Sequence, residues 1–420
     1  MNNIIRRLTH IARRAPRLAL ATSLLVVAAA SAAAVHFHSA PRASAVSPSA
    51  PMPPGVGAPG GPSTSSAALK ARVAEMEQRL VDRPGDLNAS VLLADALLRQ
   101  ARATGDSRPA GRAAGVLERT LRDNPGSYDA LRLLGAVDLS LHRFAEARDV
   151  GLRARDLRPD DAWNYGVIGD AQTELGDYDL ALASFDRMMQ LRPGPAGYAR
   201  VSYAREIRGD LPGALAAMQL AYAATSPQDP EAQAWYSSQL GELLLKLGHA
   251  DLAGREFRRA LFVFPHYPLA EVGTGKAKLA LGDHDGALQT FLDQLQRVPT
   301  LDLATRIGDL HAAMGHADAA EHYFALAEDL AGPAPSQTEA LLALFLAEHD
   351  RKLPEAVALA EHIATMRHDI VTEHALAWAY FKVGRLNDAA KAIDRATRTG
   401  SLDVTLQKHA SAIHAAVRRG

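Results

Sequence analysis

Small, apolar and polar residues alternate at helical spacing in residues 175–193, LGDYDLALASFDRMMQLRP. A Gly-Asp turn begins the stretch, Ala181 and Phe185 lie one helical turn apart on the same face, and Pro193 ends it. Proline stops a helix because it lacks an amide hydrogen and clashes with the preceding turn. The pattern therefore predicts an amphipathic helix with a defined beginning and end.

The closing proline recurs along the chain. It is found at Pro84, Pro125, Pro159, Pro193, Pro227, Pro265, Pro299 and Pro333. Successive intervals are 41, 34, 34, 34, 38, 34 and 34 residues, and the two longer intervals contain insertions at 104–111 and 228–232. A recurring interval of 34 residues indicates a repeat array.

Each unit contains two helical stretches joined by a tight turn. The first stretch carries an apolar residue followed by a small one, such as Ile168 before Gly169, and a turn glycine such as Gly176 follows. The second carries an alanine near its start: Ala113, Ala147, Ala181, Ala214, Ala253, Ala287, Ala320, Ala356 and Ala389. Antiparallel helices approach closely where a small side chain faces a bulky one, so the pattern predicts close-packed helix pairs that stack on their neighbours.

These residues resemble tetratricopeptide repeats. The family's pattern is carried in the third unit by Tyr165, Gly169, Gly176, Tyr178, Ala181, Phe185 and Pro193. The resemblance covers about residues 86–401, as nine helix pairs. It implies an all-α fold, an α-solenoid in which antiparallel pairs form a right-handed superhelix. It also implies that the first helices line a concave groove for a partner peptide or domain.

The eighth unit departs from this pattern. Leu344 stands where a small residue is expected, and the turn glycine and the closing proline are both missing. Either the register of this unit is shifted or its helices pack more loosely.

The first 65 residues differ in composition from the array. Residues 1–38 contain five arginines followed by an uncharged apolar run at 18–35, which predicts a signal peptide or a signal anchor and leaves cleavage open. Residues 39–65 are rich in Pro, Gly, Ser and Ala and are expected to be a linker. Residues 66–420 form the array, with a half unit at 66–82 and a capping helix near 402–418.

Charge and cysteine content exclude several classes of protein. The formal charge of the chain is −1, and six arginines without any acid in residues 1–50 leave −7 for the remainder. An acidic body without a basic stripe argues against nucleic-acid binding. The absence of cysteine excludes disulfides and cysteine-ligated metals. Arginine far outnumbers lysine, which is typical of a GC-rich bacterial genome. We therefore expect a periplasmic or inner-membrane-anchored protein with its array outside the cytoplasm.

Candidate partner-binding residues lie at the predicted inward positions of the first helices. They are Trp163, Asp170, Arg200, Tyr203, Trp235, Glu242, Arg306 and Trp378. Aromatic side chains in a groove suit recognition of peptide segments. The alternative is that Trp163 and Trp235 fill junctions between units and that each charge faces solvent. The carboxylate-clamp subtype of the family is not supported, because Ala136 follows Arg132 where the clamp needs asparagine.

No catalytic signature is present in the sequence. There is no Gly-x-Ser-x-Gly elbow, no phosphate-binding loop and no His-Glu-x-x-His motif, and His311 and His316 are spaced poorly for chelation from one helix face. We therefore predict a non-catalytic interaction scaffold without cofactor or metal. The partner would be a protein or peptide, with a further membrane contact if the first segment is retained. The alternatives are an assembly or export factor for envelope components, or a metal protein or enzyme that uses groove histidines and carboxylates.

Overall fold

The computed structural model describes residues 66–331 and 339–419 of the 420-residue chain. Within these ranges every regular element is a helix, and helices account for 80% of the residues. The predicted signal or anchor segment (1–38), the linker (39–65) and Pro333 lie outside the described residues. The predicted all-α solenoid is confirmed.

Twenty helices follow one another in the described part of the chain. In order they are α1 (Ser66–Asp82), α2 (Leu87–Thr104), α3 (Arg108–Asp123), α4 (Tyr128–Ser140), α5 (Phe144–Leu157), α6 (Ala162–Leu175), α7 (Tyr178–Leu191), α8 (Pro195–Glu206), α9 (Leu211–Ala223), α10 (Pro230–Lys246), α11 (Ala250–Val263), α12 (Pro268–Ala280), α13 (His284–Arg297), α14 (Leu301–Ala313), α15 (Ala317–Ala331), α16 (Glu339–Glu348), α17 (Leu353–Ile363), α18 (Ile370–Lys382), α19 (Leu386–Thr397) and α20 (Val404–Val417).

Helices α2 to α19 form nine successive pairs, from α2 with α3 to α18 with α19, which we call repeats 1 to 9. The short turn inside each pair makes its two helices antiparallel. Each pair also packs against the next, while α1 covers one end of the array and α20 covers the other. Contacts between neighbouring units therefore form the framework of the solenoid.

A glycine on the first helix faces a phenylalanine on the second in several repeats. A Cβ atom on Gly169 would lie 2.6 Å from Cδ1 of Phe185, and one on Gly275 would lie 2.7 Å from Cδ1 of Phe291. Both phenylalanine rings are buried. Each ring occupies the space that a larger facing side chain would fill, and this contact sets the distance between the paired helices.

Repeat 8 is closely packed, with its register shifted by one residue. Asp350 and Lys352 in its turn both have positive φ angles, of 54° and 40°. Asp350 lies seven residues after the fully buried Ala343, the same interval that separates the small residue from the turn glycine in other repeats. The small position is thus Ala343 rather than Leu344, and the longer turn absorbs the additional residue.

Successive turns of the superhelix contact each other between repeat 3 and repeats 8 and 9. The amide of His368 donates a hydrogen bond to the carbonyl of Leu175 (3.1 Å). The amide of Ile370 donates to Oη of Tyr178, 192 residues earlier in the chain (2.8 Å). Arg398 donates to the carbonyl of His368 (2.7 Å). We call this contact the C-terminal seam.

Two turn glycines permit this close approach. Gly176 has a φ angle of 90°, and a Cβ atom there would lie 2.9 Å from the amide nitrogen of Asp369. Gly209 has a φ angle of 80°, and a Cβ atom there would lie 2.7 Å from the carbonyl oxygen of Gly400. Only glycine provides both the left-handed backbone and the necessary space at these two turns.

A second contact joins repeat 1 to repeat 5. Arg99 donates a hydrogen bond to Asp229 (3.4 Å), and Arg102 donates to Glu231 (2.9 Å). We call this contact the N-terminal seam. Because it links α2 to the beginning of α10, the first helices of repeats 1 to 5 form a closed ring. The open groove implied by the family resemblance is reduced to a cavity in this part of the molecule.

Glu174 is buried beside the C-terminal seam. Burial and the nearby Asp369 and Asp170 raise the pKa of Glu174 to about 8, from a model-compound value of 4.5, and Arg367 opposes this rise. The folded chain therefore retains a proton on Glu174 that the unfolded chain releases. The contribution of this group to stability is present below pH 4.5 and is lost as the pH rises through about 8.

We expect Gly169→Ala to destabilise the fold by about 1–3 kcal/mol, because the added methyl group overlaps the Phe185 ring. Gly115→Ala in α3 is the matched control, since no atom lies within 4 Å of the added Cβ. It should be neutral or stabilising by up to ~1 kcal/mol. Thermal unfolding followed by circular dichroism checks both variants, and equal effects would contradict the packing argument.

We expect Glu174→Gln to melt at a higher temperature than the parent chain at pH 9 and to lose much of that advantage at pH 4.5. Glutamine keeps the neutral form, so the variant escapes the cost of ionising a buried carboxyl group. The gain at pH 9 should be ~2 °C or more, since 1 kcal/mol corresponds to ~2–4 °C in chains of this size. The exposed Glu75→Gln serves as control, and a gain that does not vary with pH would contradict the assignment.

Candidate binding cavity

The first helices of repeats 1 to 5 enclose a cavity of about 270 Å³. Residues of α2, α4, α6, α8 and α10 line it, together with the connection between α9 and α10. Most of its wall is apolar and includes Leu98, Leu133 and Val167. Concave apolar sites with a few polar groups are typical of ligand and partner binding.

Two tryptophans stand on the wall of this cavity. Trp163 donates its indole hydrogen to the carbonyl of Arg132 (3.2 Å), and the guanidinium of Arg132 lies 4.6 Å from the ring centroid. Trp235 is only 4% exposed and meets Tyr236 edge to face at 4.9 Å. Neighbouring repeats thus hold both indole rings in fixed positions.

The charged residues on the wall are balanced in sign. Arg99 donates to Asp95 (3.1 Å) and to Asp229, while Arg102 donates to Glu231, and these pairs form part of the N-terminal seam. The wall carries three arginines and three carboxylates, with Arg200 as the third arginine. Hydrogen-bonded pairs of this kind reduce the cost of placing charges in a partly dry space.

Arg200 is anchored by the fully buried Asp170. Nε of Arg200 donates to Oδ1 of Asp170 (3.0 Å), Nη2 donates to Oδ2, and Nη1 donates to the carbonyl of Ala196 (3.1 Å). Asp170 is 0% exposed and Arg200 is 4% exposed. The bidentate pair joins α6 to α8, and Asp170 supports the cavity wall rather than facing a partner.

Three other predicted residues lie away from the cavity. Tyr203 is near the C-terminal seam, where burial raises the pKa of its phenol. Glu242 accepts a hydrogen bond from Lys276 (2.9 Å), which links α10 to α12, and Arg306 donates to Asp302 within α14 (2.8 Å). Their polar groups have partners inside the chain.

Trp378 is also remote from the cavity, near the end of the array. Its ring stacks on His409 of α20, with centroids 3.5 Å apart, and contacts Phe381. His409 accepts from or donates to His374 (2.9 Å), and burial lowers the pKa of His374 to about 4. This cluster attaches the capping helix to repeat 9.

Several cavity residues could not be identified from the repeat pattern. Ser140, Tyr236, Asp229 and Glu231 line the cavity but were not candidates. Asp229 and Glu231 belong to the insertion at 228–232, which the sequence presents only as extra length between two units. The interrupted 34-residue interval was the available signal.

Neither a metal centre nor a membrane span is found in the described parts of the chain. No group of three His, Asp or Glu side chains is placed to hold a metal ion, although Nδ1 of His311 lies 3.4 Å from Nδ1 of His316. None of the described helices is both long enough and apolar enough to cross a bilayer. The predicted apolar segment at 18–35 is outside the residues considered.

Comparison with known proteins agrees with the repeat pattern. The family profile described as tetratricopeptide repeat matches residues 98–162 and 238–301. No curated protein matches the chain. The chain thus contains tetratricopeptide repeats, and its fold is that of a tetratricopeptide-type α-solenoid.

Solved structures with the same fold include human IFIT1. The IFIT1 dimer with m7Gppp-AAAA has a TM-score of 0.53 at 13% identity, covering 80% of this chain and 78% of IFIT1. The dimer with PPP-AAAA has a TM-score of 0.52 at 14% identity, with coverages of 75% and 73%. The APC/C hetero-tetramer Cut9–Hcn1 has a TM-score of 0.49 at 14% identity, and the match covers 79% of this chain but 56% of the other. At these identities the IFIT1 likeness is one of fold alone.

We expect Arg200→Met to lower stability by ~3–5 kcal/mol, because it leaves the buried Asp170 carboxylate without its guanidinium. Adding Asp170→Leu should recover most of this loss, since the pair is then replaced by apolar side chains of similar volume. Denaturant unfolding of the single and double variants provides the measurement. A double variant as unstable as Arg200→Met would show that the ion pair is not the source of the loss.

Proposed function

We propose that this protein is a non-catalytic binding scaffold that holds a protein partner by inserting part of that partner into the cavity. The supporting observation is the convergence of Trp163, Trp235 and Tyr236 on one largely apolar cavity inside a tetratricopeptide-type solenoid. Aromatic side chains fixed in a desolvated pocket are the residues that most often dominate the binding energy of an interface. The surrounding arginines orient the partner through polar contacts.

RNA is a less suitable occupant. The IFIT1 structures name RNA 5′-end analogues as their ligands. In this chain, however, each arginine on the cavity wall is hydrogen-bonded to a carboxylate. Nucleic-acid affinity depends on cations that neutralise phosphates, and a wall with equal numbers of both signs lacks that surplus.

We also propose that the array functions outside the cytoplasm, exported through or anchored by the first segment. The support is the order of five arginines, an uncharged apolar run at 18–35 and a Pro/Gly/Ser/Ala-rich linker. N-terminal sequencing of the mature chain distinguishes cleavage from retention.

We expect Trp163→Ala and Ala196→Phe each to reduce partner recovery several-fold when the full-length chain is crosslinked in its own cells and purified. The first variant removes an aromatic wall, and the second fills the cavity with a new ring. Phe262→Ala is the matched control, because Phe262 is 87% exposed on α11 and does not line the cavity.

Circular dichroism and thermal melting establish that the compared variants are folded. Undiminished recovery with both cavity variants would refute the proposed site. Loss of the partner with Phe262→Ala alone would place the interaction on the outer helices instead.

A further inference from the structure

Three residues of the cavity wall carry a buried polar atom without a hydrogen-bond partner among the described residues. These atoms are Nε of Arg102, Oγ of Ser140 and Nε1 of Trp235. They belong to three different helices, α2, α4 and α10. Trp235 and Ser140 are each 4% exposed. Most buried polar groups in proteins are satisfied, so three such atoms around one cavity require an explanation.

We propose that the cavity binds a neutral, apolar residue of the partner together with its peptide carbonyl groups. This inference rests on the proposed function and specifies the chemistry of the occupant. The apolar side chain would pack on Trp163 and Trp235, and the carbonyl oxygens would accept hydrogen bonds from the donors that lack partners.

The unpartnered atoms determine the hydrogen-bonding type of the occupant. Indole Nε1 and guanidinium Nε are donors only, whereas the serine hydroxyl can donate or accept. The cavity therefore presents an excess of donors, and its complement must carry acceptors. A peptide carbonyl has two lone pairs and satisfies this requirement without bringing a charge.

The charge balance selects a neutral occupant. Arg99, Arg102 and Arg200 on the wall are matched by Asp95, Asp229 and Glu231, and Arg200 is held in addition by Asp170. A carboxylate or ammonium group in the cavity would find each opposite charge already paired. Burying a charge without a counter-charge is costly, so charged analogues should bind more weakly.

The size of the cavity selects a single residue. Its volume of about 270 Å³ corresponds to roughly nine water molecules at the liquid volume of ~30 Å³ each. An α-helix with its side chains is ~10–12 Å across and does not fit. The N-terminal seam closes the ring of helices, so a bound segment contributes one side chain and its adjacent carbonyls.

The test uses three probes with the same apolar body and different charges. N-acetyl-leucinamide is neutral, N-acetyl-leucine is anionic and leucinamide is cationic. The chain has three tryptophans, so indole ¹⁵N labelling gives three N–H signals, each assigned by single Trp→Phe substitution. Titration with each probe reports on Trp163 and Trp235 in the cavity, with Trp378 as the internal control.

We expect N-acetyl-leucinamide to shift the signals of Trp235 and Trp163 but not that of Trp378, and to bind at least tenfold more tightly than either charged probe. Trp235→Phe retains an aromatic ring and removes only the indole donor. It should weaken the neutral probe about tenfold, as followed by the Trp163 signal, and Ser140→Ala should weaken it less.

Three results would overturn the inference. They are equal or tighter binding of a charged probe, no shift from any probe up to tens of millimolar, and unchanged affinity in folded Trp235→Phe. The last result would mean that water satisfies the unpartnered donors. Partner recovery with Trp163→Ala and Ala196→Phe is measured separately. If it falls while the probes fail, the scaffold function stands and only the assigned chemistry is wrong.

Discussion

The phenylalanine ring that enters the space beside a facing glycine fixes the geometry of a helix pair. Gly169 with Phe185 and Gly275 with Phe291 make this contact in repeats 3 and 6, and the rings have no room to move. Because similar pairs follow one another along the chain, a small rotation from each pair to the next accumulates into a superhelix. The curvature brings repeat 5 back against repeat 1 and repeat 9 back against repeat 3. Both seams and the cavity depend on this packing.

The cavity arises where the regular array is interrupted. The insertion at 228–232 supplies Asp229 and Glu231, which face the arginines of repeat 1. In the insertion at 104–111, a Cβ on Gly105 would lie 3.4 Å from Pro268 at the start of α12. The two deviations from 34-residue spacing therefore coincide with contact between repeats that are distant in sequence. Local additions of a few residues convert an open groove into a closed ring.

The sequence was sufficient for the local geometry and insufficient for the closure. Helix pairs, their turns and the inward positions of Trp163, Arg200 and Trp235 follow from the periodic pattern, because each depends on residues within one or two units. The seams depend on the accumulated rotation over about five units, which no short pattern encodes. The assignment of Asp170 and Tyr203 as groove residues illustrates the difference. Both lie on inward-facing helices, but the neighbouring repeat covers Asp170 and the next superhelical turn lies near Tyr203.

Closure also changes how stability is distributed along the chain. In an open array each repeat contacts only its neighbours, so terminal units can open without disturbing the middle. Here the hydrogen bond from Ile370 to Tyr178 spans 192 residues, and the ion pair of Arg102 with Glu231 joins the first repeat to the fifth. Opening an end must therefore break contacts with the middle and expose the buried carboxyl group of Glu174 or the cavity wall. The seams couple distant repeats and hold Trp163 and Trp235 in place, and a site with fixed walls loses less conformational entropy when its partner binds.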